Sequence, residues 1–121
     1  MSDAAISGID IHTYFVKDAA RAVAFWRDVM GLRPTEIDEG MGGEFVLPDG
    51  ATFGLWKMED GSWQAGGGIM FAVADARAAA DAFRSRGVKV AEHIEETPVC
   101  YMAFAEDSEG NSFVLHQRKR P

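Results

Sequence analysis

Residues 11–32 read IHTYFVKDAARAVAFWRDVMGL, and residues 67–90 read GGIMFAVADARAAADAFRSRGVKV. The two stretches share one plan. Each has a short apolar run that suits a strand, then Val-x-Asp, then a helical pattern, then Gly. Val16 and Asp18 correspond to Val73 and Asp75, Trp26 to Phe83, and Gly31 to Gly87. Asp18 and Asp75 are placed to cap helices, because a carboxylate accepts the unpaired N–H groups of a first turn. In residues 19–30, Ala22, Val23, Trp26, Val29 and Met30 fall on one helical stripe. In residues 76–86 the stripe is Ala79, Ala80, Ala82 and Phe83, small enough for a helix to lie close on a sheet. Gly31 and Gly87 end the helices, since glycine takes a left-handed backbone without steric cost.

Working outward, each stretch is followed by three more runs of strand character. The first set is residues 33–38, 44–47 and 52–58; the second is 88–94, 100–106 and 112–117. EGMGG (39–43) and PDG (48–50) supply turn chemistry between the first set. The halves close in the same way, with PDGATFGLW (48–56) in one and SEGNSFVLH (108–116) in the other. The chain is therefore read as α+β, with two tandem βαβββ modules at about 9–58 and 68–117. Residues 59–68, EDGSWQAGGG, form the linker. Neither half is large enough to bury a core alone, so the 121 residues are expected to form one domain.

Composition narrows the function. Apolar residues make up 47% of the chain, enough for a packed core. A net charge of −7 argues against nucleic acid and leans toward a neutral or cationic ligand. No apolar run is long enough to cross a bilayer. MSDAAISGID lacks the basic start and apolar stretch of a secretory leader, so a cytoplasmic location is expected. Cys100 is the sole cysteine, which excludes an internal disulfide and a cysteine-cluster zinc site. It has no paired histidine in sequence and reads as a buried structural thiol.

FVKDAARAVAFWRDVMGL (15–32) and EDSEGNSFVLHQ (106–117), within tandem βαβββ modules, resemble the vicinal oxygen chelate superfamily. This group includes glyoxalase I, extradiol dioxygenases, and fosfomycin- and bleomycin-resistance proteins. The resemblance implies an eight-stranded cup-like sheet with helices outside, often completed within a homodimer. In many members a divalent metal sits at the cup floor, on a first-strand histidine and a last-strand glutamate from each module. The resemblance places those ligands at Ile11, Gly54, Gly68 and Val114, none of which carries a donor atom. No metal and no other cofactor is therefore expected. His12 lies one residue from a ligand position, where strand alternation turns it to the helix side unless a β-bulge intervenes. His116 lies two residues past Val114 and shares its face. His93, within EHIEET, reads as surface.

The residues expected to line the cup are Thr13, Phe15, Thr52, Trp56, Met70, Ala72, Ser112, Val114 and His116, with Trp63 at the rim. One of Tyr101 and Met102 should face inward, and alternation alone leaves open which. From these, the expected ligand contacts are Thr13, Phe15, Trp56, Trp63, Met70, Tyr101, Met102 and His116. They describe an apolar, aromatic pocket with few polar handles. The bland alternative is that Phe15, Met70 and Val114 simply fill the sheet interior. Three functions follow. The leading one is a metal-free homodimeric protein that binds a small apolar or aromatic ligand, neutral or cationic. The second is a metal-dependent lyase or dioxygenase with ligands relocated to His12 and His116. The third is a metal-free enzyme with His116 as acid or base.

Overall fold

The computed structural model describes residues 4–120. The first three residues of the stretch read above for a leader lie outside them. The fold is α+β, with two helices and two mixed sheets. The first half runs β1 (His12–Phe15), α1 (Ala19–Ala24), β2 (Pro34–Asp38), β3 (Gly42–Val46) and β4 (Thr52–Trp56). Its sheet has the order β1-β4-β3-β2, with β1 parallel to β4. The second half runs β5 (Ile69–Ala72), α2 (Ala76–Ser85), β6 (Lys89–Val90), β7 (Glu95–Glu96), β8 (Cys100–Glu106) and β9 (Ser112–Arg118). Its sheet has the order β5-β9-β8-β6, with β7 also paired to β8.

The repeat is visible hydrogen bond by hydrogen bond. The Asp18 carboxylate accepts the Arg21 N–H, and the Asp75 carboxylate accepts the Ala78 N–H, both at 3.0 Å. The Val16 N–H donates to the Trp56 carbonyl and the Val73 N–H to the His116 carbonyl, again both at 3.0 Å. Trp56 and His116 thus hold equivalent places in the two halves.

Two elements depart from the sequence pattern. Residues 19–30 do not form one regular α-helix, because Phe25–Val29 widen into a π-helical turn in which the Met30 N–H donates to the Phe25 carbonyl. Such a turn shifts the helix face. Trp26 is carried fully into the core, while Val29 and Met30 stay half-buried. The expected strand at 88–94 is broken into β6 and β7. Polar, exposed side chains at Glu92, His93, Glu95 and Glu96 leave Ile94 as the one half-buried residue among them, too little to hold an unbroken strand.

A single core serves both halves. The Trp26 ring centre lies 4.8 Å from Phe53 of β4, 5.2 Å from Phe71 of β5 and 5.0 Å from Phe113 of β9. Its indole N–H donates to the buried Asp107 carboxylate at 3.2 Å. Asp107 also accepts the N–H groups of Glu109 and Asn111 and the Asn111 amide, so the 107–111 turn is rigid. That turn clasps the first half. Glu109 accepts the N–H groups of Lys17 and Asp18 and an ion pair from Arg21 at 2.6 Å. Asn111 donates to the Phe15 carbonyl and accepts the Gly66 N–H of the linker. Tyr14 of β1 reaches into the β5–β9 ladder, where its hydroxyl donates to the Ser112 carbonyl at 2.5 Å and accepts the Ile69 N–H at 3.3 Å. Burial pushes the Tyr14 phenol up to about 12, so it keeps the proton that bond needs.

Two outcomes are expected. Tyr14→Phe should lower stability by about 1–3 kcal/mol, seen as a reduced urea midpoint with an unchanged slope. For Glu109, burial alone would raise the carboxyl pKa, but Arg21, the Asp18 N–H and the Ser108 hydroxyl outweigh it and hold it below the ordinary 4.5. A depressed carboxylate contributes stability that is fully present above its unfolded value and lost as pH falls through the lower folded value. Glu109→Gln should therefore destabilise the chain at neutral pH and flatten the fall in stability below about pH 4.5.

Candidate functional site

The side chains that build the shared core leave the sheets on one face. Phe53 and Leu55 of β4, Phe71 of β5, and Phe113 and Leu115 of β9 all point to the helix side. Since the helix-side faces of both sheets meet in one core, their open faces point away from each other. The expected ligand residues therefore divide into two groups within a chain.

On the first sheet, Thr13 and Phe15 alternate out from Tyr14, and Trp56 stands opposite Phe15 in register. Phe15 is 47% exposed. Trp63 of the linker joins them, its indole N–H reaching the Phe15 carbonyl at 3.3 Å. On the second sheet, Met70 pairs with Val114, and His116 with both Ala72 and Met102. Met70 is 54% exposed and Phe104, opposite Val114, is 45% exposed. Met102 is thus the inward partner that sequence alternation left open. Tyr101 takes the other face, among Asp75, Ala78, Ile94 and Gln117 at the α2 side. Phe104 is an open-face residue that the sequence reading omitted; its alternation with Met102 was the available signal.

Over the second sheet's open face lies a cavity of about 640 Å³, walled by Met70, Ala72, Cys100, His116, Arg118 and Arg120 among others. Cys100 itself is buried and free. His12 does not belong to either open face. The β1–β4 register runs unbroken from His12↔Phe53 to Phe15↔Trp56, so no bulge turns it. It lies on Tyr14's face and borders a cavity at the seam between the halves with Asp49 and Phe53. His93 is on the surface, 3.1 Å from Glu95.

A sequence model of the glyoxalase/bleomycin resistance protein/dioxygenase superfamily matches residues 8–115. The chain belongs to this superfamily. No curated protein sequence matches it. Solved structures share the fold. A superfamily member from Sphaerobacter thermophilus is similar at 24% identity and TM-score 0.77, over 93% of this chain and 98% of that one. The antibiotic binding protein TnmS3 from Streptomyces sp. CB03234 is similar at 24% identity and TM-score 0.74, over 95% and 98%. The lactoylglutathione lyase from Agrobacterium tumefaciens is similar at 23% identity and TM-score 0.72, over 93% and 94%.

The residues of this superfamily member do not fit the metal that many of its relatives hold. Two of the four ligand positions do adjoin, since a Cβ built on Gly54 would lie 3.3 Å from Ile11 Cγ2. Neither residue offers a donor. The same Cβ would lie 2.9 Å from Trp56 Nε1, so the indole occupies the space into which a ligating side chain would project. Among the described residues, no group of three His, Cys, Asp or Glu converges on a common point. His12 and His116 stand on different sheets, one on the helix side and one on an open face.

Metal analysis of protein purified without a histidine tag should find no stoichiometric zinc, nickel or iron, and adding these ions should leave the melting temperature unchanged. One tightly held ion per chain, lost on replacing His12 or His116, would contradict the donor geometry.

Proposed function

We propose that the chain is a metal-free small-molecule-binding protein that works as a homodimer. The observation that carries this reading is Trp56 lying across Gly54. Where a metal-using relative needs a carboxylate, this chain presents a flat aromatic surface with one N–H donor. Trp56 offers stacking area, Met70 and Met102 an adaptable wall, and His116 a hydrogen bond. Thr13, Phe15 and Trp63 extend the surface on the first sheet. The similarity to an antibiotic binding protein supports the same reading.

The outward faces support dimerisation. Phe15, Val46, Met70 and Phe104 are each more than 40% exposed, and all alternate onto an open face. Apolar exposure on this scale favours a partner. Laying the four-stranded sheet of one copy over the five-stranded sheet of another would bring Trp56 and His116 into one cup, with the short β7 added to the eight strands that the superfamily resemblance implies. Among the described residues no helix is long and apolar enough to cross a membrane. A cytoplasmic location is part of the proposal. The lyase or dioxygenase reading has less support, because catalytic metal sites usually need three protein ligands.

Light scattering at micromolar concentration should give the mass of two chains. A cognate aromatic ligand should quench tryptophan fluorescence. Trp56→Ala should weaken that binding by roughly 1–3 kcal/mol, as for a buried aromatic contact, and His116→Ala should weaken it without unfolding the chain. Full affinity in both variants would place the ligand elsewhere.

A further inference from the structure

The cavity over the second sheet differs from the rest of the molecule in charge. The chain carries 19 acidic residues against 12 basic ones. The other large cavities follow that excess. Asp75 and Asp81 outnumber Arg77 in the one beside α2, Asp38 and Glu39 outnumber Arg27 in the one beside α1, and Asp49 lines both cavities at the seam. The cavity beneath His116 contains no acidic residue in its wall and gathers Arg118, Lys119 and Arg120 at one side. These cations are not equivalent. Lys119 is held by Glu96 at 2.6 Å and lies over the Tyr101 ring. Among the described residues, the guanidinium groups of Arg118 and Arg120 have no ion-pair or hydrogen-bond partner, although the Arg118 backbone pairs with Cys100 in the sheet. Arg118 lies two residues beyond His116 on β9 and so shares its open face. The opposite wall is apolar, with Met70 and Ala72.

Two free guanidinium groups and an imidazole beside an apolar wall are a recognition set for an anion. Guanidinium presents paired donors that match a carboxylate or sulfonate, and a low-dielectric wall strengthens the attraction. We infer that the ligand of this site is an apolar or aromatic molecule bearing one anionic group, with the ring against Met70 and the anion at Arg118 and Arg120. This rests on the open face being the small-molecule site, and it replaces the neutral or cationic ligand that net charge suggested. Net charge describes the whole surface, whereas the ligand meets the local field.

The test uses two dyes with the same ring system. 8-Anilinonaphthalene-1-sulfonate is anionic; N-phenyl-1-naphthylamine lacks the sulfonate. Fluorescence titration of the full chain should give about tenfold tighter binding of the anionic dye, the gain expected for a charge-assisted hydrogen bond. That advantage should shrink in about 1 M salt, where charges are screened beyond roughly 3 Å. An Arg118→Gln/Arg120→Gln double variant should bring the anionic dye down to the affinity of the neutral one and leave the neutral dye unchanged. Circular dichroism and light scattering on the variant establish that fold and assembly are intact. Equal binding of both dyes by the parent chain, or an anion advantage that survives the double substitution, overturns the inference. So does a double variant that changes assembly, because the arginines would then serve a chain–chain interface. If the neutral dye binds and is weakened by His116→Ala while the sulfonate adds nothing, only the anion falls. If neither dye binds, or His116→Ala affects neither, the open-face site falls and the anion with it.

Discussion

The indole of Trp26 is the constraint on which the two halves depend. It leaves α1 of the first half, packs against aromatic rings from both sheets, and gives its one hydrogen bond to Asp107 of the second half. A buried indole N–H needs a partner, and a buried carboxylate needs several donors. Asp107 meets both needs at once, because its remaining lone pairs are filled by the backbone of its own turn. The turn and the helix therefore cannot be moved independently. The π-helical widening at Phe25–Val29 belongs to the same arrangement, since it coincides with Trp26 sinking to 1% exposure while Val29 and Met30 after it stay half-buried.

The repeat was legible because it rests on local chemistry. Caps at Asp18 and Asp75, left-handed glycines and turn residues act within a few positions of themselves, and the structure reproduces them nearly bond for bond. What was not legible was the difference between the halves. The turns at 47–51 and 107–111 share one backbone pattern, with Leu47 N–H to the Ala51 carbonyl matched by Asp107 N–H to the Asn111 carbonyl. Their side chains do opposite things. Leu47 and Ala51 stay local, while Asp107, Glu109 and Asn111 are buried and bind the other half. In sequence all three looked like ordinary turn formers. The available signal was Asp107 and Asn111 standing where the matched turn has apolar residues. The break between β6 and β7 was missed for a related reason: strand-like composition near its ends masked the charged run between them.

Site residues were legible as faces and not as a site. Period-two alternation placed Thr13, Phe15, Met70 and His116 on open faces, and unbroken register put His12 on the other side of its sheet. Alternation is a property of one strand, however, and says nothing of how two sheets are oriented. That the open faces diverge within a chain follows from Trp26 drawing the helix sides together, a contact across halves that no local pattern encodes. The place of Trp56 over Gly54 is of the same kind. The glycine read as a missing ligand, while in space it is the clearance an indole requires.

The shared helix-side core has a consequence for how such a protein can change over time. The largest fully buried side chains, among them Trp26, Phe45, Phe53, Phe113 and Leu55, all stand on the helix side. Among the described residues, the well-buried apolar side chains on the open faces are Val114 and the smaller Cys100. Most open-face side chains stand outside that core, so drift there can sample new surface chemistry while the scaffold stays intact, except where close packing such as that of Trp56 on Gly54 forbids it. A repertoire of chemically unrelated occupants can arise on one architecture when the residues that hold the chain together and the residues that meet the outside world are separate sets.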